Sequence, residues 1–296
     1  MSSMPVDSFI SANGLRLHYR HWSPVEPRPH APPLLLLHGL ASAARIWDFA
    51  APLLAARGYA VTALDQRGHG ESDKPETGYD FATMLADVDA AMQALGIVRP
   101  VLVGHSWGAM VALHYAVTYP ERVTALVAVD GATFQLSRRA GWTREQARKE
   151  LAPPRFAGTP RETFLSYFRG GPLGKQWTPE LEDIILHIVQ LREDDTVAPR
   201  LSFENHLQII DAMWDQPTLD LYAQLHCPVT LIVARQPARD EQQEARLRMQ
   251  QENLAYLQSR YPNIAVVLMP DTIHDIPLQR PGELAQEIVQ HIPAQG

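Results

Sequence analysis

Short, continuously apolar runs alternate with longer segments in which apolar residues recur every three or four positions. An apolar run without polar alternation is typical of a strand buried on both faces of a parallel sheet. Such runs lie at 34–37, 59–64, 99–103 and 122–129. Helical patterns lie between them at about 47–57, 81–95 and 109–117. This alternation predicts an α/β fold with a mostly parallel, doubly wound sheet.

Both ends of the chain extend this sheet. Segments 8–11 and 15–22 flank Asn13-Gly14, and an Asn-Gly pair between such segments is a strong hairpin signal. Towards the C-terminus, strand patterns at 228–234 and 263–269 alternate with helical patterns at about 241–260 and 281–291. The strand–helix alternation therefore resumes late in the chain.

The middle of the chain breaks this rhythm. Between about 133 and 222 no strong strand pattern occurs, helical patterns dominate, and Pro and Gly pairs interrupt them. We therefore predict a core domain formed by 1–132 and 223–296, with a helical cap, 133–222, inserted into it.

Composition narrows the class of protein. The 296 residues are 46% hydrophobic and 20% charged, with a net charge of -7 and no Lys/Arg-rich run. This favours a globular protein and argues against nucleic acid or an anionic membrane as partner. The single cysteine excludes an internal disulfide, and we find neither a leader pattern nor an apolar run of membrane-spanning length. We expect a cytoplasmic enzyme, monomeric or homodimeric.

The pentapeptide Gly104-His105-Ser106-Trp107-Gly108 joins a predicted buried strand to a predicted helix. A serine between two glycines at such a junction is typical of a nucleophile elbow, where the hydroxyl projects from a sharp turn. Glycines are needed because side chains two residues either side of Ser106 would meet the neighbouring strand or helix. The following helix N-terminus offers N–H groups to a developing oxyanion.

These motifs together resemble the α/β-hydrolase fold with a helical cap. The motifs that carry the resemblance are His38-Gly39, Asp65-Gln66-Arg67-Gly68-His69-Gly70-Glu71-Ser72, the pentapeptide around Ser106, and a histidine near the C-terminus. Trp107 and Asp130 resemble the branch of haloalkane dehalogenases and epoxide hydrolases, but those relatives carry Asp where this chain has Ser106. The resemblance therefore disfavours their chemistry here.

The resemblance implies a catalytic base and an oxyanion hole. A serine hydroxyl needs a base, and the family places a histidine in the loop after the last strand, where this chain has His274. The family match assigns the oxyanion donors to the backbone N–H groups of Leu40 and Trp107. The segment from Asp65 to Ser72 is interpreted as a structural turn.

The acid that orients His274 has two candidates. The family's commonest position follows the strand after the cap, but Pro237 occupies the usual slot and Asp240 lies three residues further on. The other arrangement places the acid after the strand next to the nucleophile strand, which is Asp130 here. We favour Asp130 and keep Asp240 as the alternative.

We therefore predict a serine hydrolase that cleaves small, apolar carboxylic esters through an acyl-enzyme intermediate. No metal-ligand spacing, dinucleotide fingerprint or phosphate loop is found, so no cofactor is expected. The same triad would also serve a lactonase, a carbon–carbon bond hydrolase, an amidase or a Pro-specific aminopeptidase. A ligand-sensing receptor that keeps the triad is the non-enzyme alternative. The cap arginines are scattered along the sequence, which gives no ground for a carboxylate clamp.

Overall fold

A computed structural model of the chain describes residues 4–238 and 240–293. Within them, an eight-stranded sheet has the order β1-β2-β4-β3-β5-β6-β10-β11. Only β1 and β2 run antiparallel to their neighbours; the other strands are parallel. The strands of this sheet are β1 (Val6–Ala12), β2 (Leu15–Trp22), β3 (Leu34–Leu37), β4 (Val61–Leu64), β5 (Val101–His105), β6 (Ala125–Val129), β10 (Val229–Arg235) and β11 (Ile264–Pro270). This mostly parallel, doubly wound sheet confirms the predicted fold class.

The sheet is buried because helices cover both of its faces. Every residue of β3, β4, β5 and β6 is buried, as their unbroken apolar sequences predict. Helices α2, α3 and α9 pack on one face, and α1, α10 and α11 pack on the other. They are α1 (Ala51–Ala55), α2 (Phe81–Ala94), α3 (Trp107–Thr118), α9 (Glu241–Arg260), α10 (Ile276–Gln279) and α11 (Pro281–Gln290).

The helix predicted over 47–57 is shorter than its pattern suggested. A 3₁₀ turn covers Ala44–Trp47, and the α-helix covers only Ala51–Ala55. Pro52 lies in the first turn of that helix, where its missing N–H costs nothing, so the helix begins there. The predicted stop is right, since Gly58 follows with a φ of +92°.

The inserted segment, residues 133–222, leaves the sheet after β6 and returns to it before β10. It contains α4 (Arg144–Glu150), α5 (Arg161–Arg169), α6 (Pro179–His187), α7 (Phe203–Trp214) and α8 (Thr218–Leu221). It also contains a small antiparallel sheet of β7 (Thr159–Pro160), β8 (Val189–Leu191) and β9 (Thr196–Pro199), so the expectation of no strand there is wrong. Strands of two to four residues are too short to show a period of two in the sequence.

The Asp65 motif forms a buried turn after β4. The Asp65 carboxylate, 1% exposed, accepts hydrogen bonds from Ala44 N at 2.6 Å, Glu71 N at 2.8 Å and His18 Nδ1 at 2.7 Å. Burial alone would raise the pKa of this carboxyl, but these bonds and the nearby histidines lower it below its ordinary range. A side chain at Gly70 would place its Cβ 2.0 Å from the same carboxylate.

Replacing Asp65 with Asn is expected to lower the free energy of unfolding by about 3 kcal/mol. The substitution removes the buried negative charge that accepts hydrogen bonds from three donors, and the amide cannot accept all three. Urea denaturation at pH 7 measures this loss. Asp80→Asn is the control, because Asp80 caps α2 at the surface and Asn caps a helix equally well. Equal and small losses in both variants would contradict the structural role of Asp65.

Candidate active site

The turn between β5 and α3 places Ser106 at the carboxyl edge of the sheet. Ser106 has φ +54° and ψ −118°, a strained conformation for a residue with a side chain. The flanking glycines are required by close approach: a Cβ on Gly104 would lie 2.3 Å from the carbonyl oxygen of Gly108. A Cβ on Gly108 would lie 2.4 Å from the carbonyl oxygen of Leu37. The sequence-based explanation of these two glycines agrees with this geometry.

Three predicted side chains form one hydrogen-bonded chain. His274 Nε2 lies 2.9 Å from Ser106 Oγ, and His274 Nδ1 lies 2.6 Å from Asp130 Oδ2. With Nδ1–H donating to the carboxylate, Nε2 is left free to accept the serine proton. The structure therefore brings Ser106, His274 and Asp130 together in the order that nucleophilic catalysis requires.

Strand order explains why residues so distant in sequence meet. Strands β5, β6 and β10 are adjacent and parallel, so the residues that follow them leave the same edge of the sheet. Asp130 directly follows β6, and its Oδ1 accepts a hydrogen bond from Ala234 N on β10 at 3.0 Å. This bond leaves Oδ2 for His274, so the neighbouring strand orients the carboxylate.

Asp240 is used elsewhere. Its carboxylate accepts a hydrogen bond from Gln243 N at 2.8 Å and caps the N-terminus of α9. Arg239, next to it in the same loop, lies outside the described residues. Among the described contacts of His274, the carboxylate at hydrogen-bond distance belongs to Asp130. The geometry thus favours Asp130 over Asp240 as the partner of His274.

The environment of His274 shifts its pKa upwards. Desolvation beneath the inserted segment lowers the pKa, but the hydrogen bond and the charge of Asp130 raise it more, with help from Asp275. The part of the imidazole that stays accessible borders the cavities above Ser106. A pKa above the ordinary value of 6.5 makes His274 a stronger base once it is neutral.

Two backbone N–H groups are available next to Ser106. Trp107 is the first residue of α3, so its N–H has no intrahelical acceptor. The N–H of Leu40, in the turn after β3, takes part in none of the hydrogen bonds found among residues 4–238 and 240–293. Both residues line the same cavity as Ser106. These are the two donors that the family match assigns to an oxyanion.

Two histidines that sequence reasoning treated only as turn residues support this site. His105 donates from Nε2 to the carbonyl oxygen of His274 at 2.9 Å. Burial, and then the nearby charge of His274, lower the pKa of His105 to about 4, so it is neutral at pH 7. His69 accepts from Ala41 N at 3.2 Å and stacks on Trp107, with ring centroids 5.4 Å apart. Both therefore position the two loops that border Ser106.

The inserted segment and the sheet edge enclose two adjoining cavities. The first, about 310 Å³, lies over the catalytic candidates and has apolar walls that include Met110, Leu151 and Met213. The second, about 270 Å³, lies among aromatic residues of the inserted segment, including Phe156 and Phe168. His206 lines both cavities. Phe164 also borders the second cavity, and its fully buried side chain packs the inserted segment as well.

A sequence model of the alpha/beta hydrolase fold matches residues 32–183, slightly more than half of the chain. The chain therefore belongs to this family. Epoxide hydrolase A of Mycobacterium tuberculosis (strain ATCC 25618 / H37Rv) is 38% identical over 128 residues, covering 42% of this chain and 38% of that protein. Non-heme chloroperoxidase of Streptomyces lividans is 38% identical over 120 residues, covering 40% of this chain and 42% of that protein.

These curated relatives are matched over only about two fifths of their length. A thioesterase domain from the curacin biosynthetic pathway superposes with a TM-score of 0.74 at 22% identity, covering 97% of this chain and all of that domain. At this identity the likeness shows the fold alone.

In the part of the chain that the structure describes, no helix is long and apolar enough to cross a membrane.

Proposed function

We propose that this protein is a serine hydrolase that cleaves carboxylic esters through an acyl-enzyme intermediate. The observation that carries the proposal is the chain of hydrogen bonds from Ser106 through His274 to Asp130. The unpaired N–H groups of Leu40 and Trp107 beside it support the proposal. Together these groups supply a nucleophile, a base, an orienting acid and an oxyanion site.

The first half-reaction follows from the distances. Ser106 Oγ attacks the ester carbonyl carbon while its proton moves to His274 Nε2, and the carbonyl oxygen becomes an oxyanion held by the two N–H groups. His274 then gives this proton to the leaving alkoxide oxygen as the carbon–oxygen bond breaks. An alcohol leaves, and the acyl group stays bound to Ser106.

Water completes the cycle. His274 removes a proton from a water molecule, whose oxygen attacks the acyl carbon, and the same N–H groups stabilise the second oxyanion. The bond to Ser106 Oγ breaks as His274 returns the proton to Oγ. Asp130 keeps the imidazole in one tautomer and stabilises its charged form throughout. The products are a carboxylic acid and the free serine.

The nucleophile separates this proposal from epoxide hydrolysis. A carboxylate that opens an epoxide forms an ester, which water then hydrolyses. The Ser106 alkoxide would form an ether instead, and the site holds nothing that would cleave an ether bond. Acyl transfer is therefore the chemistry that Ser106 supports, although several relatives are named epoxide hydrolases.

The inserted segment would serve as the cap of this enzyme, with the sheet and its helices as the core domain. Residues of this segment form much of the wall of both cavities, so its shape would set the size of the acyl and alcohol groups.

Lactones, amides and carbon–carbon bonds fit the same machinery. A panel of p-nitrophenyl esters of graded acyl length, with a lactone and an anilide, ranks them.

Reaction with a fluorophosphonate probe tests the nucleophile directly. We expect one covalent adduct per chain, located on Ser106 by peptide mass spectrometry, because a base-activated serine attacks the phosphorus centre. His274→Ala should slow labelling by at least about 100-fold, since general-base assistance contributes that much. An unlabelled wild-type protein, or an adduct on another serine, would overturn the proposal.

A further inference from the structure

Two arginines lie in the wall of the cavity that contains Ser106. Arg139 follows a 3₁₀ turn of the inserted segment, whereas Arg246 belongs to α9 of the core. They are separated by more than a hundred residues in sequence, yet both line the same 310 Å³ cavity. The reaction proposed above uses neither of them, so their presence requires a separate explanation.

Neither guanidinium has an ion-pair partner among residues 4–238 and 240–293. Neighbouring arginines of the inserted segment differ: Arg138 binds Asp220 at 2.8 Å, and Arg144 pairs with Asp215. Arg148, Arg161 and Arg169 also contact carboxylates. Arg139 therefore differs from most arginines of the inserted segment, and Arg246, on α9, likewise has no ion pair among these residues.

An aromatic ring lies near each of the two guanidinium groups. The Arg139 guanidinium lies 3.8 Å from the ring centroid of Trp142, and that of Arg246 lies 5.9 Å from that of Phe134. At 3.8 Å the Arg139 guanidinium stacks on the Trp142 ring, and such stacking uses the face of the guanidinium and leaves its N–H edge free to donate hydrogen bonds. Trp142 and Phe134 line the same cavity, so both arginines lie beside aromatic residues of its wall.

The two arginine charges act unfavourably on each other. Burial lowers the pKa of Arg139, and the charge of Arg246 lowers it further, whereas Glu150 opposes this only in part. Asp130, the carboxylate that lines the cavity, is already bonded to His274 and Ala234. A ligand that brought its own negative charge would relieve the repulsion between the two arginines.

We propose that Arg139 and Arg246 form an anion subsite for a carboxylate carried by the substrate itself. The substrate would then be an ester with a free carboxylate separated from the scissile bond by an apolar linker. This inference rests on the proposed function and refines the expected apolar ester to an acidic one. The apolar walls suit the linker, and a guanidinium donates two parallel hydrogen bonds to a carboxylate.

Two matched substrate pairs test the subsite in turnover. In the first pair, mono-p-nitrophenyl adipate carries the charge on its acyl part and is compared with its uncharged primary amide. In the second pair, 4-carboxyphenyl acetate carries the charge on its alcohol part and is compared with the uncharged 4-carbamoylphenyl acetate. Each pair differs by one charge at nearly constant shape. Both members of each pair are measured at the same pH, and low ionic strength keeps screening of the charges weak.

We expect kcat/KM for the carboxylate to exceed that for the amide at least tenfold in one pair. Arg139→Gln and Arg246→Gln should each reduce this ratio by about tenfold, as expected for the loss of a charge-assisted hydrogen bond. Arg138→Gln and Arg248→Gln are matched controls, because these neighbours lie outside the cavity lining, and should keep the wild-type ratio. The subsite would be overturned if the carboxylate-to-amide ratio of kcat/KM were close to 1 in both pairs. It would also be overturned if Arg139→Gln and Arg246→Gln both left this ratio unchanged.

Binding separates the subsite from the catalytic proposal. Calorimetry on Ser106→Ala with monoethyl adipate and its primary amide measures the carboxylate preference without turnover. A carboxylate preference that is present in Ser106→Ala and disappears in Ser106→Ala/Arg246→Gln supports the subsite. If the wild type nevertheless hydrolyses no ester, the subsite stands and the proposed reaction fails. The subsite is rejected if esters are hydrolysed but neither turnover nor binding shows a preference for the carboxylate. It is also rejected if neither ligand binds.

Discussion

Replacing Ser106 with Ala is expected to lower kcat for ester hydrolysis by about 10⁴- to 10⁶-fold, the loss typical when a serine nucleophile is removed. Fold stability should change little. Ser106 Oγ makes no capping hydrogen bond to α3, and its side-chain contact is with His274, so Ala loses only that contact. The backbone at φ +54° accommodates Ala no worse than Ser.

Steady-state turnover of a p-nitrophenyl ester and the melting temperature together check this prediction. Ser259→Ala is the matched control, because Ser259 lies on the exposed surface of α9 and should retain wild-type kcat. A Ser106→Ala variant that keeps more than about 1% of wild-type kcat would contradict a nucleophilic role, because the background left by binding and the oxyanion site alone is far smaller.

Replacing Asp130 with Asn is expected to lower kcat by about 10³- to 10⁴-fold. The hydrogen bond from Ala234 N to Oδ1 decides how the amide is oriented, because only the amide oxygen can accept it. The amide nitrogen then faces His274 Nδ1 and donates to it. This bond selects the tautomer with hydrogen on Nε2, which cannot take the proton of Ser106.

The pH profile gives a second readout of the same change. In the wild type, His274 has a raised pKa and acts as a base only when neutral, so kcat/KM should fall as the pH drops through a value above 6.5. In Asp130→Asn the two largest effects that raise the pKa, the hydrogen bond and the charge of Asp130, are lost, while desolvation remains. The midpoint of the acid limb of the residual activity should therefore move to lower pH.

Asp240→Asn is the matched control for this experiment. Asp240 caps α9, and Asn is an equally good cap, so kcat and the acid limb should remain within about twofold and 0.2 pH units of the wild type. A larger loss of kcat in Asp240→Asn than in Asp130→Asn would transfer the orienting role to Asp240.

The strand pattern made much of the core predictable. Strands such as β3 and β6 are buried on both faces, so their apolar runs are visible without any knowledge of their neighbours. The helix over Glu241–Arg260 was predicted with the bounds that the structure has, because Asp240 and Tyr261-Pro262 delimit it. The short strands of the inserted segment were missed because their pairing depends on tertiary contacts.

The candidate nucleophile was also visible in the sequence, since a strand, two glycines around Ser106 and a helix are local features. For the candidate acid, the sequence favoured Asp130 but kept Asp240 as the alternative. Strand order decides between them geometrically: β6 lies between β5 and β10, so Asp130 reaches His274 while Asp240 caps a helix. Order within a sheet is a long-range property that no local pattern contains.

By itself, the sequence determined the fold class and the elbow motif around Ser106, because both rest on patterns of residues close together in the chain, whereas His274 was assigned through the family resemblance. Only the tertiary structure decided which carboxylate meets His274 and which arginines face the cavity. Arg139 appeared in the sequence as one scattered cation among several, and Arg246 as part of a polar helix. Their unpaired charges share one cavity because the inserted segment folds back over the sheet edge, and that closure places distant residues side by side.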